Sequence, residues 1–312
     1  VIALLVACAL AASPDDVRVS HRKVTTADGA ALALHRFLPP SGGTHAPAVL
    51  LVADVGFGRT LYDYKQAGLA RWLAAQNRAV YVAELRGQGA SSPGMSLRSL
   101  VHLDLPAVAA AIAREHPGPI DLVAHGYVGA LALAATTKEL PVRRVVALQT
   151  PALMEPPTEL VESFLSTGGA FSSLASSPSG FEAFQQLFAM ASDVDPALLR
   201  GLAGTTRDLS RGVSAELLAW MQTGDLPLDD GTTVMGRLRE FDRPTLLMFG
   251  LADGFAPSEA CAPLRELVKG KVEIKSFSRV TDDDDFAHVS LVHGKRAPRR
   301  VYPAIAKFLE AR

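Results

Sequence analysis

The sequence predicts an α/β architecture: a mostly parallel, twisted sheet flanked by helices, with an all-helical insertion late in the chain. Two observations carry this. Continuous apolar runs alternate with helical-period segments between residues 46 and 150, and strand character then disappears until residue 244. With 312 residues, 48% hydrophobic and 20% charged, the chain can fill one large core and still carry an insertion.

The elements follow in order. Residues 17–38 hold V-R-V-S-H-R-K-V-T-T and A-L-A-L-H-R-F-L around Ala27-Asp28-Gly29, a hairpin pattern. A-P-A-V-L-L-V-A-D at 46–54 is an unbroken apolar run, as expected of a strand covered on both faces. Leu61, Ala67, Leu69, Leu73 and Ala74 repeat at helical spacing and predict a helix over 61–77. A-V-Y-V-A-E-L at 79–85 predicts a second buried strand, ending in the glycine-rich R-G-Q-G-A-S-S-P-G. A helix over 97–115 and a strand at 119–125 come next, then a helix to about Leu140 and a strand at 144–150. Residues 152–238 show only helical runs, at about 158–167, 180–192, 195–203 and 213–222, joined by Gly, Ser and Pro. Strands return at 244–250 and 272–277, with helices at 257–269 and about 297–311. The domain division expected is a signal-like segment at 1–12, a core at 13–151 and 239–312, and a helical cap insertion at 152–238. In such sheets ligands bind beyond the carboxyl ends of the strands, which gathers the loops at 54–60, 86–94, 125–128 and 150–154 around one crevice.

A formal net charge of −1 gives no reason to expect nucleic acid as a partner or a polybasic membrane contact. The opening V-I-A-L-L-V-A-C-A-L-A-A-S-P-D-D is apolar, of signal-peptide length and too short to span a bilayer. Leu5-Val6-Ala7-Cys8 resembles a bacterial lipobox with Cys8 lipidated, whereas Ala9-Leu10-Ala11 fits an A-x-A cleavage site. Export is therefore expected, to the periplasm, the medium or a lipoprotein form, with a cytoplasmic location if the segment is not a signal. The lipid anchor is the one membrane contact expected. Either export route leaves Cys261 without a disulfide partner. Nothing in the sequence assigns an oligomeric state.

Five stretches together resemble the α/β-hydrolase superfamily, with the texture of bacterial lipase and esterase-like members. They are V-G-F-G-R at 55–59, E-L-R-G-Q-G-A-S-S at 84–92, V-A-H-G-Y-V-G-A at 123–130, P-T-L-L-M-F-G-L-A-D at 244–253 and A-H-V-S-L-V-H-G-K-R-A-P at 287–298. The resemblance implies an α/β-hydrolase fold and an ordered Ser, acid, His triad. It places the acid at Asp253 and the base at His288, with Ser290 where relatives often carry Asp. The nucleophile position falls on Gly126, which has no side chain and forms no acyl-enzyme. Glycine does suit the positive φ of a nucleophile elbow. The oxyanion pair is expected from the backbone N–H groups of Phe57 and Tyr127.

Two neighbours of Gly126 make poor substitutes. Strand alternation aims His125 away from the side-chain direction of residue 126, and the Tyr127 phenol has no evident base beside it. Asp54 is an unusual neighbour for an oxyanion hole, because a carboxylate opposes a developing negative charge. It would do so unless it points outward or is tied up by Arg59 or Arg86. The Arg86-Gly87-Gln88-Gly89 loop is read as support for the site. The run Asp282-Asp283-Asp284-Asp285 is read as a solvated loop, since consecutive carboxylates do not converge on a cation. No metal ligands and no cofactor are assigned. Phe164, Phe171, Phe181, Phe184, Phe188 and Trp220 either line an apolar pocket or form the core of the insertion. The function expected is a degenerate, nucleophile-less esterase or lipase-like protein that binds an acyl- or ester-like, apolar small molecule. The alternatives are a hydrolase using His288-activated water or another nucleophile, and a non-catalytic structural or interaction protein.

Overall fold

The computed structural model describes residues 13–40, 46–94, 96–136, 140–189, 194–282 and 285–311. The signal-like segment and Cys8 lie outside them, as do Asp283 and Asp284 of the acidic run. Among the described residues no helix is long and apolar enough to cross a membrane.

Eight strands form one sheet: β1 (Arg18–Thr25), β2 (Ala31–Leu38), β3 (Val49–Val52), β4 (Val80–Glu84), β5 (Ile120–His125), β6 (Val142–Leu148), β7 (Thr245–Gly250) and β8 (Val272–Phe277). Their order is β1-β2-β4-β3-β5-β6-β7-β8. β1–β2 and β2–β4 pair antiparallel, and every other pair is parallel. β3, β4, β5 and β7 are buried along their whole length, because helices cover both faces there, and Glu84, Asp121 and His125 are buried with their apolar neighbours. The outer strand β1 is mostly exposed.

The strand order reverses at β3, with β4 on one side and β5 on the other. Such a switch point opens a crevice beyond the strand ends. Register decides what meets there. Val52 of β3 pairs with Ala124 of β5. Two residues further along each chain, Asp54 therefore stands beside Gly126.

The main helices are α1 (Leu69–Ala75), α2 (Leu105–Ala113), α3 (Gly126–Thr136), α4 (Glu159–Ser166), α5 (Phe171–Ser176), α6 (Pro178–Phe188), α7 (Pro196–Ala203), α8 (Arg211–Thr223), α9 (Val234–Glu240) and α10 (Tyr302–Glu310). Those from α4 to α9 lie between β6 and β7. All eleven residues of α3 are buried, which explains its composition of small and apolar residues. At Gly129 a Cβ would stand 2.5 Å from Thr150 Oγ1, so glycine is what lets α3 approach the end of β6.

Three predicted helices are shorter than their periodicity suggests. Lys65, Gln66 and Gly68 have φ of 49°, 63° and 140°, so the segment 61–77 turns first and is helical only as α1. Pro106 sits in the first turn of α2, behind a π-helical turn at Leu100–Asp104, and this divides the segment 97–115. Pro263 separates two four-residue helices, Ser258–Cys261 and Leu264–Leu267, where one helix over 257–269 was expected. Helix α9 was not anticipated. Its start is set by Thr233, whose hydroxyl accepts from the Gly236 N–H at 3.0 Å.

Glu84 ends β4 and fastens the loops that follow β3 and β4. Its carboxylate accepts from the Arg59 and Ala90 amides, both at 2.9 Å, and lies 3.3 Å from His35 Nε2. Burial pushes this carboxyl up, but the His35 ring and the two amides outweigh burial and hold it at about 2. A lowered carboxyl pKa contributes stability that is present above the unfolded value near 4.5 and is lost as pH falls toward 2. Glu84→Gln is therefore expected to unfold more easily at pH 7, by about 2–3 kcal/mol, with a flatter acid limb below pH 4.5. Urea unfolding across pH checks this, and parallel acid limbs in the two proteins would contradict it.

Candidate functional site

Four elements deliver the site: the ends of β3, β5 and β7, and the loop after β8. Asp253 follows β7. Its Oδ1 accepts from the Phe255 and Ala256 amides at 2.8 Å, which fixes the turn. Its Oδ2 lies 2.9 Å from His288 Nδ1. One carboxylate thus holds its own loop and orients the imidazole. His288 is held in turn by its neighbours. The Val289 N–H donates to the Phe188 carbonyl of α6 at 2.8 Å, and Ser290 closes the turn by accepting from the Ala287 N–H at 2.6 Å.

Gly126 begins α3 directly after β5, with φ of 61°. The space its side chain would use is filled. A Cβ built there would stand 1.9 Å from Asp54 Oδ2 and 2.1 Å from Asp54 Cγ. Asp54 Oδ2 is 3.1 Å from His288 Nε2, and both residues are fully buried. The site is therefore a buried line of carboxylate, imidazole and carboxylate, with Asp54 standing where a residue-126 side chain would be.

Neither condition that would keep the Asp54 charge from the site is met. Arg59 pairs with Asp63, and Arg86 pairs with Asp28 and Asp104. Two features turn Asp54 inward. The Gln88 amide donates to the Ala53 and Asp54 carbonyls, both at 3.0 Å, so the R-G-Q-G loop grips the backbone on either side. The Val128 N–H, in the first turn of α3, donates to Asp54 Oδ1 at 2.9 Å. First-turn amides have no partner within their own helix and attract negative charge, so the carboxylate caps α3 from a neighbouring strand.

Burial pushes the His288 imidazole down, but the Asp253 carboxylate, bonded to Nδ1, and the Asp54 carboxylate beyond Nε2 outweigh it and raise it to about 9. Burial, together with the His288 charge, pushes His125 well below the usual range for histidine. The His125 ring stands edge-on to His288 with centroids 4.2 Å apart, and its Nε2 bonds the His288 carbonyl at 2.9 Å. Strand alternation concerns only its direction relative to a residue-126 side chain and leaves this contact open.

Of the two expected oxyanion donors, the Phe57 amide is otherwise engaged. The Phe57 N–H donates to the Asp54 carbonyl at 3.1 Å and is committed to the loop's own turn. The Tyr127 phenol donates to the Phe255 carbonyl at 3.0 Å, and burial raises it well above 10, so it is no substitute nucleophile.

Aromatic rings close the site. Phe57, Phe188 and Phe255 lie 5.9, 5.6 and 5.6 Å from the His288 ring, centroid to centroid. Phe171 packs against Phe57 and Phe188 and covers Gly56, where a Cβ would stand 2.1 Å from its ring. The aromatics of the insertion thus pack on one another and on the loop after β3. Phe181 stacks on Phe184 and carries Arg200 over its face, while Trp220 meets Tyr127. A narrow crevice with only about 20 Å³ of free volume runs alongside, lined by Val55, Gly56, Gln88, Leu97, Val128 and Val213 among others.

A mostly parallel eight-stranded sheet with flanking helices, its site residues on the loops beyond β3, β5, β7 and β8, is the α/β-hydrolase fold. No family model and no curated protein matches the sequence. Solved structures do resemble the chain. The enol-lactonase from Burkholderia xenovorans LB400 superposes with a TM-score of 0.68 at 14% identity, covering 93% of this chain and 100% of that one. The esterase from Exiguobacterium antarcticum does so with a TM-score of 0.68 at 16% identity, covering 94% and 100%. A thermophilic esterase from Thermogutta terrifontis gives 0.61 at 20% identity, covering 93% and 98%.

Proposed function

We propose that this chain is a degenerate member of the hydrolase type, one that binds an acyl- or ester-like small molecule without serine-type turnover. One observation carries the reading. The volume of the nucleophile side chain is occupied by the Asp54 carboxylate, which also faces His288 Nε2. Two things are therefore missing together: a tethered hydroxyl, and room for one. An apolar ligand would enter beside Gly56 and Val128, where the narrow crevice must widen to take it. The solved neighbours whose names are esterase and lactonase are consistent with an ester-like group, and this chain would hold such a group unchanged.

A second reading has its own observation. Asp54 sits in the nucleophile's place with His288 and Asp253 behind it, so in this reading its carboxylate attacks the acyl carbon of an ester and expels the alcohol, leaving a mixed anhydride. His288 then takes a proton from the water that hydrolyses the anhydride and frees Asp54. Full burial of Asp54 beneath the phenylalanine rings favours the first reading.

The unmodified protein is expected to leave short aryl esters at the background rate and to remain unlabelled by a fluorophosphonate. Fluorescent or isotopic fatty-acid analogues are expected to bind and to be displaced by Val128→Trp, which fills the cleft. Ester turnover lost in Asp54→Asn would replace the first reading by the second. Turnover untouched by Asp54→Asn and by His288→Ala would sink both.

A further inference from the structure

The three buried side chains at the centre of the site share a feature that the triad geometry does not use. Asp54 Oδ2, His125 Nδ1 and His288 Nε2 are all shielded from solvent, and none has a correctly directed hydrogen-bond partner. The Asp54 to His288 distance of 3.1 Å is that of an ion pair, but the N–H direction misses the oxygen. A buried polar atom without a partner is destabilising, and here three of them lie together. One ligand atom from each residue lies within 4.8 Å of the other two.

We infer that Asp54, His125 and His288 form a binding site for a divalent d-block cation, zinc being the best match. Two imidazoles and one carboxylate are borderline ligands suited to this class of ion. Bonds of about 2.1 Å place tetrahedral ligands roughly 3.4 Å apart, so the three atoms need shifts of about 1 Å at most.

The groups behind the ligands point the same way. A metal-bound imidazole usually fixes its other nitrogen against a carboxylate or a carbonyl, which directs the free lone pair at the ion. Both rings do this. His288 Nδ1 meets the Asp253 carboxylate at 2.9 Å, and His125 Nε2 meets the His288 carbonyl at 2.9 Å. The third ligand is anchored as well, through the Val128 N–H on Asp54 Oδ1 at 2.9 Å. A proton shared between Asp54 and His288 would leave His125 Nδ1 without a partner, whereas a cation satisfies all three atoms. The cation would also balance a carboxylate that is sealed under aromatic rings. Cation binding at these three atoms does not depend on whether the chain turns over an ester.

The test uses the whole chain, produced in zinc-supplemented medium and also refolded with zinc present, because the site is closed to solvent. After dialysis against a weak chelator, elemental analysis is expected to find one zinc per chain. Cobalt in its place should give the visible d–d absorption of a low-coordinate nitrogen and oxygen site. Competition with a chromophoric chelator should show affinity falling at least about 100-fold in His125→Ala and in Asp54→Asn. Asp253→Asn, which alters only the support behind His288, should cost about 10- to 100-fold. Circular dichroism identifies any variant that fails to fold, and the folded unmodified chain is decisive alone. Zinc lost on dialysis from that chain overturns the inference, as does zinc held equally well by a folded His125→Ala variant.

Discussion

Gly126→Ala is expected to destabilise the fold by about 4–7 kcal/mol, far more than the loss of one glycine elsewhere. Backbone strain and displacement both contribute. A φ of 61° costs a side-chain-bearing residue about 1–2 kcal/mol. Displacement costs more. The new methyl group would stand 1.9 Å from Asp54 Oδ2, so the carboxylate must leave both the Val128 N–H and the His288 ring. Breaking a buried charged pair costs about 3–5 kcal/mol when one partner stays behind. The penalty should depend on Asp54. In Asp54→Gly the space is open, and adding Gly126→Ala should then cost little beyond the backbone strain. The two changes should couple by about 2 kcal/mol or more in a double-mutant cycle followed by urea unfolding. Additive effects would show that Gly126 and Asp54 do not share one volume.

The second large effect follows from the same crowding. Gly126→Ser alone is expected to stay inert toward fluorophosphonates, although it restores the residue type that elbows of this fold carry. Its Cβ has no room, so the hydroxyl does not reach His288 while Asp54 is in place. The double variant Asp54→Gly/Gly126→Ser frees that space and exposes His288 Nε2 to the new hydroxyl. General-base assistance is worth roughly 10²- to 10⁴-fold, and labelling of the double variant should exceed that of the single one by about that factor. Adding His288→Ala should abolish the gain. Turnover of esters will lag behind labelling, because the Phe57 amide remains in its turn and one oxyanion donor is worth about 10²- to 10³-fold. Labelling of Gly126→Ser as fast as the double variant would mean that Asp54 moves aside freely.

Each feature of the site was legible to the extent that it was local. Asp253 could be placed because it lies three residues past an apolar run that marks a strand end, and His288 because the stretch A-H-V-S-L-V-H-G-K-R-A-P around it resembles the family. Gly126, like Asp253, could be placed by a strand end, after I-D-L-V-A-H. The direction of the Asp54 side chain was not local. The neighbouring arginines were the natural partners by sequence, yet Arg59 and Arg86 are committed to Asp63, Asp28 and Asp104. The contact of His125 with His288 was not local either, since it joins the end of β5 to the loop after β8. The insertion's phenylalanines were legible as apolar, but the ring contacts that seal His288 required the packed helices.

The sequence by itself determined the order of buried strands and helices, the strand ends that carry chemistry and the absence of a hydroxyl at residue 126. These follow from periodicity and residue type, which are properties of short segments. Only the tertiary structure decided that the missing side chain is replaced. That outcome needs β3 and β5 to lie side by side in parallel register, so that Asp54 and Gly126, far apart in the chain, come level at the switch point. It also needs the first turn of α3 to offer the Val128 amide to a carboxylate from another strand. Strand neighbours, register and the partners of a helix end are set by long-range packing, and no single stretch of this sequence contains them.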